Sequence, residues 1–169
     1  NSCYGGENQQ KGNPKFNFSK FNIVANYYKP GPATKPGEVS YRIANPSMRD
    51  TISDFGKWYI ADNVVVGNET VTSNNWDGGV QPSGGAANLP FVKMEKPWNS
   101  MPINQETAGQ AFISVLKNAG AILPKRDIVD TRIVKEANEG YATYEGTSYK
   151  KNKEIADVSK ITGIIDTQY

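Results

Sequence analysis

Apolar positions follow two regimes along this chain. Up to about residue 98 they come in short runs rich in β-branched and aromatic side chains, and beyond that point they recur at helical spacing. Phe21-Asn22-Ile23-Val24-Ala25-Asn26-Tyr27-Tyr28 can be laid over Trp58-Tyr59-Ile60-Ala61-Asp62-Asn63-Val64-Val65-Val66: a short strand, an asparagine, a second short strand. The two asparagines, Asn26 and Asn63, are 37 residues apart. Such a repeat predicts stacked coils. An asparagine at each turn tolerates the left-handed backbone region and can pass an amide hydrogen bond to its equivalent one coil away. Two copies fit two unrelated strands of an antiparallel sandwich as well, and periodicity alone does not separate these readings.

Between them, Val39-Ser40-Tyr41-Arg42-Ile43 alternates and predicts a strand, with Val39, Tyr41 and Ile43 on one face and Ser40 and Arg42 on the other. The run from Lys29 to Gly37 holds three prolines and two glycines and predicts a loop. Asp77-Gly78-Gly79 and Ser83-Gly84-Gly85 read as turns, since they lack the strand-to-helix setting of a phosphate loop. After Trp98 the spacing changes. Asn104-Gln105-Glu106-Thr107 opens a helix carrying Ala108, Ala111, Phe112, Val115 and Leu116 on one face, with Gly120 placed to end it. Asp127 caps a second helix that carries Ile128, Arg132, Ile133 and Ala137 and closes at Gly140. The tail predicts loop with one short strand at Thr162-Gly163-Ile164-Ile165. Residues 1–98 therefore form strands and loops, and residues 99–169 a helical and loop cap packed on them in the same domain.

Composition narrows the chemistry. Nineteen basic side chains against 17 acidic ones make no electrostatic case for nucleic acid or an anionic membrane. The cluster Lys150, Lys151 and Lys153 reads as a solvated loop. No apolar stretch reaches the length of a membrane span. The chain holds no histidine, which removes Ser-His and Cys-His nucleophile pairs, and Cys3 is its one cysteine, which removes internal disulfides and thiolate cages. Arg126, Asp127, Asp130 and Arg132 read as a helix-capping and ion-pair set, and Trp58 and Trp76 as core or loop anchors.

Several segments, in order, resemble the pectate lyases of the polysaccharide lyase family 1 type found in bacteria and fungi. They are Asn26-Tyr27-Tyr28-Lys29-Pro30-Gly31-Pro32-Ala33, Gly56-Lys57-Trp58-Tyr59-Ile60-Ala61-Asp62-Asn63-Val64-Val65, Asn74-Asn75-Trp76 and Gly78-Gly79-Val80-Gln81. Val115-Leu116-Lys117-Asn118-Ala119-Gly120-Ala121, Leu123-Pro124-Lys125-Arg126-Asp127, Val129-Asp130-Thr131-Arg132-Ile133-Val134 and Gly163-Ile164-Ile165-Asp166 continue the likeness. The resemblance implies an all-β fold with a helical appendage: the C-terminal coils of a right-handed parallel β-helix plus capping helices. It implies a secreted enzyme that cleaves α-1,4-polygalacturonate by calcium-assisted β-elimination, with an arginine taking the C5 proton. In that family the calcium-binding aspartates and the catalytic arginine precede the stretch matching Asn1-Ser2-Cys3-Tyr4-Gly5-Gly6-Glu7. The catalytic residues and calcium ligands are therefore expected upstream of residue 1, in another part of the same enzyme, and the isolated chain is expected to be inactive. A non-catalytic carbohydrate-binding β-solenoid is the second reading, and a structural or adhesive surface protein with a solenoid stalk, which calls for a longer regular repeat, is the third.

Four residues become candidates for substrate binding. Arg42 would face the groove and pair with a uronate carboxylate, or else form a salt bridge with Glu38 or Asp50. Tyr4 and Glu7 would occupy the preceding coil, where Tyr4 either stacks on a sugar or packs. Lys29, at the mouth of the proline-glycine loop, would meet a second carboxylate or remain solvated.

Overall fold

The computed structural model describes residues 3–7 and 19–143. The lysine cluster at 150–153 and the strand expected at 162–165 lie outside the described residues. Strands β1 (Cys3–Gly5), β2 (Lys20–Val24), β3 (Tyr27–Tyr28), β4 (Ala44–Pro46), β5 (Lys57–Ala61) and β6 (Val64–Val65) form three two-stranded sheets, β1–β4, β2–β5 and β3–β6, each parallel. Phe21 lies opposite Trp58 and Tyr27 opposite Val64, so the superposition of the two apolar runs is a physical register. Alternation along β2 and β5 turns Phe21, Ile23, Trp58 and Ile60 to the interior, where the Phe21 and Trp58 rings stack with centroids 4.1 Å apart. Ile43, Phe55, Val65, Val71, Val80 and Val92 complete the core around them.

The expected fold class is corrected. Among the described residues the molecule is mixed α/β, with 32 % helix against 18 % strand, and it holds separate short parallel sheets rather than a β-helix solenoid. The physical reason is brevity: strands of two to five residues are interrupted by helices. After β6 the chain winds into α2 (Glu69–Ser73), capped by Asn68, instead of continuing a third long turn. The strand expected over Val39–Ile43 is also corrected. Its first part is helix α1 (Glu38–Tyr41), closed by hydrogen bonds from the Ser40 amide and hydroxyl to the Gly37 carbonyl, and β4 starts only at Ala44. Ile43 and Ala44 are both buried, and both donate their amides to the Gly79 carbonyl, so a long-range partner overrides the local alternation.

The bends between β2 and β3 and between β5 and β6 differ from expectation in one detail. The left-handed residues are Ala25 (φ 54°) and Asp62 (φ 58°), each one position before the asparagine. The asparagines themselves form a ladder. Asn26 Nδ2 donates to Asn63 Oδ1 (3.0 Å), and the Asn26 amide donates to the same oxygen (2.9 Å). Asn63 Nδ2 lies within hydrogen-bond reach of the Ile23 and Ala61 carbonyls and of Asn75 Oδ1. Asn75 Nδ2 donates in turn to the Asn63 and Val71 carbonyls. Asn75 comes only 12 residues after Asn63, because α2 brings the chain straight back.

The remaining regular elements of the described chain are helical. A 3₁₀ turn (Ala86–Asn88) leads into α3 (Leu89–Val92). Helix α4 (Ala108–Asn118) starts at Thr107, whose hydroxyl accepts from the Gln110 amide while Gln110 Oε1 accepts from the Thr107 amide. Helix α5 (Ile128–Glu139) is capped by Asp127 and ends on Gly140 (φ 81°), as its sequence predicts. Arg126 spans the loop between them, donating to the carbonyls of Leu116, Lys117 and Ala119 at the end of α4. Tyr27 stacks on Phe112 with centroids 4.5 Å apart, fastening α4 to β3.

Candidate functional site

The β1–β4 sheet organises the candidate site. Tyr4 is the register partner of Asn45, and it is 80 % exposed. Ala44 bridges in parallel to Val80, and the Gln81 amide donates to the Ala44 carbonyl (2.9 Å). Residues 80–83 thus run along the second edge of β4, and Asn45 Nδ2 reaches the Gln81 carbonyl. Tyr4, Asn45 and Gln81 form a row across these three segments.

Beside this row opens a cleft of about 360 Å³, lined among others by Glu38, Tyr41, Arg42, Trp76, Gln81 and Leu89. Arg42 is half-buried, and its Nε donates to Gln81 Oε1 at 2.6 Å. Gln81 Nε2 in turn donates to the carbonyls of Glu38 (3.0 Å) and Gly78 (2.9 Å). Both amide hydrogens are used, so the amide has one orientation, with its oxygen toward the guanidinium. The Arg42 partner is neither Glu38 nor Asp50 but this neutral amide, and among the described residues its two terminal nitrogens have no partner. A guanidinium in that state offers a planar fork matched to a carboxylate. Trp76 is fixed at the cleft wall by its Nε1, which donates to the Ile60 carbonyl at 2.9 Å. Aromatic faces beside a cation suit a sugar acid, whose ring presents C–H groups and whose carboxylate presents charge.

The four sequence-derived candidates part company here. Arg42 and Tyr4 share the β1–β4 region. Glu7 follows β1 at the opposite end of the sheet from Arg42, where its Oε1 accepts from the Ser47 hydroxyl at 2.6 Å. Lys29 follows β3 in a different sheet and is committed to α5, donating to the carbonyls of Ala137 (2.9 Å) and Asn138 (2.6 Å) at the helix end. Gln81 and Tyr41 escaped the sequence reading of the site, and Trp76 entered it only as an anchor. The repeat held a signal for the first: Arg42 and Gln81 are 39 residues apart, close to the 37 that separate the asparagines.

The Ser47 hydroxyl bond, then the backbone bond at Glu7, hold the Glu7 carboxyl below its ordinary value, with the nearby Arg49 charge acting in the same direction. A depressed carboxylate adds stability above its unfolded pKa and loses it as pH falls through the folded one. Ser47→Ala is therefore expected to lower the melting temperature modestly at pH 7. The gap to the wild type closes once pH falls below the ordinary glutamate range, and thermal melts between pH 7 and pH 3 check this. A gap that stays constant across that range contradicts the assignment.

The calcium that the resemblance implies has no evident seat in this region. Among the described residues no three or more histidine, cysteine, aspartate or glutamate side chains converge on one point. Among the described residues no helix is long and apolar enough to cross a membrane. No family model matches the chain, and no curated protein matches it in sequence.

Proposed function

We propose that this chain is the C-terminal, substrate-holding part of a secreted pectate-lyase-type enzyme that cleaves α-1,4-polygalacturonate by β-elimination. The observation that carries this reading is the Arg42 guanidinium, held through Nε by Gln81 beside an open cleft, with its terminal nitrogens unpartnered among the described residues. The ordered series of pectate-lyase-like segments, from Asn26 to Asp166, supports the same conclusion. In this reading Arg42 binds a uronate carboxylate, Tyr41 and Trp76 flank the sugar ring, and exposed Tyr4 extends the contact along the polymer. These residues bind and orient. Removal of the C5 proton and departure of the C4 oxygen belong to groups in a preceding part of the enzyme, as does any calcium.

The test is kinetic and uses the enzyme together with its preceding part. Arg42→Ala should raise KM for polygalacturonate roughly ten- to thirty-fold, the loss of one charge-assisted pair, with kcat little changed. The rate is followed by the ultraviolet absorbance of unsaturated uronides. Arg42→Lys should recover only part of the loss, because an ammonium cannot form the two-pronged contact. Absence of unsaturated product with and without calcium would overturn the lyase assignment. Polymer binding without product would instead assign a carbohydrate-binding protein with no catalysis of its own.

A further inference from the structure

We infer that Gln81 is a positioning residue that gives the cleft its preference for an acidic over a neutral sugar. The inference rests on reading the cleft as a uronate site and goes beyond it by naming what makes Arg42 selective. A free arginine side chain loses considerable rotational freedom when a ligand fixes it. Arg42 is already fixed, because the 2.6 Å bond from its Nε to Gln81 Oε1 sets the plane of the guanidinium. Gln81 is itself anchored on every side. Its side-chain amide donates to Glu38 and Gly78, its backbone amide donates to Ala44, and its carbonyl accepts from Asn45.

The neutrality of Gln81 matters as much as its position. A glutamate here could also accept from Arg42 Nε, but its charge would cancel the field an incoming carboxylate must feel. It would also set a carboxylate against the Glu38 and Gly78 carbonyls, where donors are required. An apolar side chain would leave those two carbonyls and Arg42 Nε without this partner. Only an uncharged group that donates and accepts at once holds the arginine without quenching it, and leaves the two terminal nitrogens for the ligand.

The experiment compares binding of a short oligogalacturonate with that of its fully methyl-esterified form by calorimetry, using the whole chain. The ester keeps the rings and removes the charge. The wild type should favour the acid at least roughly tenfold. Q81L should cut affinity for the acid roughly five- to tenfold more than affinity for the ester, and Q81E should lower the acid-to-ester ratio further. R42L should erase the preference. Should Q81L fail to fold, Q81E decides: a reduced acid-to-ester ratio supports the inference, and a wild-type ratio overturns it. If both Gln81 variants keep the wild-type ratio while R42L loses it, Gln81 has no positioning role and the uronate reading survives. A wild type that binds acid and ester alike overturns the uronate reading and this inference with it.

Discussion

Asn63→Ala is expected to lower the free energy of unfolding by about 4 kcal/mol, and the melting temperature by roughly 10 °C. Asn63 is fully buried, and it is the middle rung of the amide ladder. Truncation removes the oxygen that receives two donors from Asn26 and the nitrogen that serves the Ile23 carbonyl. Buried groups left unpaired cost about 1–3 kcal/mol each, more than the net gain of an ordinary hydrogen bond. Asn26→Ala should cost far less, because Asn26 is exposed and water can replace it. Urea unfolding of both variants makes the comparison. Equal losses at the two positions would show that the ladder is not a buried network.

Trp58→Ala is the other change expected to be severe, about 3–5 kcal/mol. The side chain is fully buried, stacks on Phe21 and forms the centre of the β2–β5 interior face. The backbone beside it is closely packed. Gly56, one residue away from Lys57 at the start of β5, donates its amide to the Gly6 carbonyl, and a Cβ there would sit 2.1 Å from that oxygen. Trp58→Phe should cost much less, because among the described residues the indole Nε1 is buried without a hydrogen-bond partner, and removing it relieves that desolvation cost while most of the ring packing stays. Chemical unfolding of the two variants separates the contributions. A phenylalanine variant as unstable as the alanine one would mean that the indole nitrogen is satisfied in solution.

Much of the framework was legible because its signals are local. The two helices announced themselves through Thr107 with Gln110, Asp127 and Gly140, which act within one turn. The paired apolar runs were legible because both carry a strand, a bend and an asparagine in the same order, and the structure sets them in register. What escaped depends on distant partners. The alternation of residues 39–43 pointed to a strand, yet the Gly79 carbonyl claims the Ile43 and Ala44 amides and delays the strand to Ala44. The left-handed positions fall on Ala25 and Asp62, one residue before each asparagine, where neither residue type announces them. The repeat suggested an all-β solenoid, but two copies do not reveal that α2 ends the series or that helices outweigh strands. At the site, Arg42 was visible as an outward cation, whereas Gln81 looked like an ordinary turn residue until the backbone brought it beside Arg42.

The amide ladder has a polarity. Nδ2 of Asn26 points to Oδ1 of Asn63, and Nδ2 of Asn63 points to Oδ1 of Asn75, so the dipoles add head to tail and each rung strengthens the next. Only a group that receives at one end and gives at the other can stand in such a row. An aspartate, though nearly the same shape, could receive from the rung before but would have nothing to hand to the rung after. The buried part of the row therefore holds only while Asn63 and Asn75 are uncharged amides, two positions that no isosteric acid can fill.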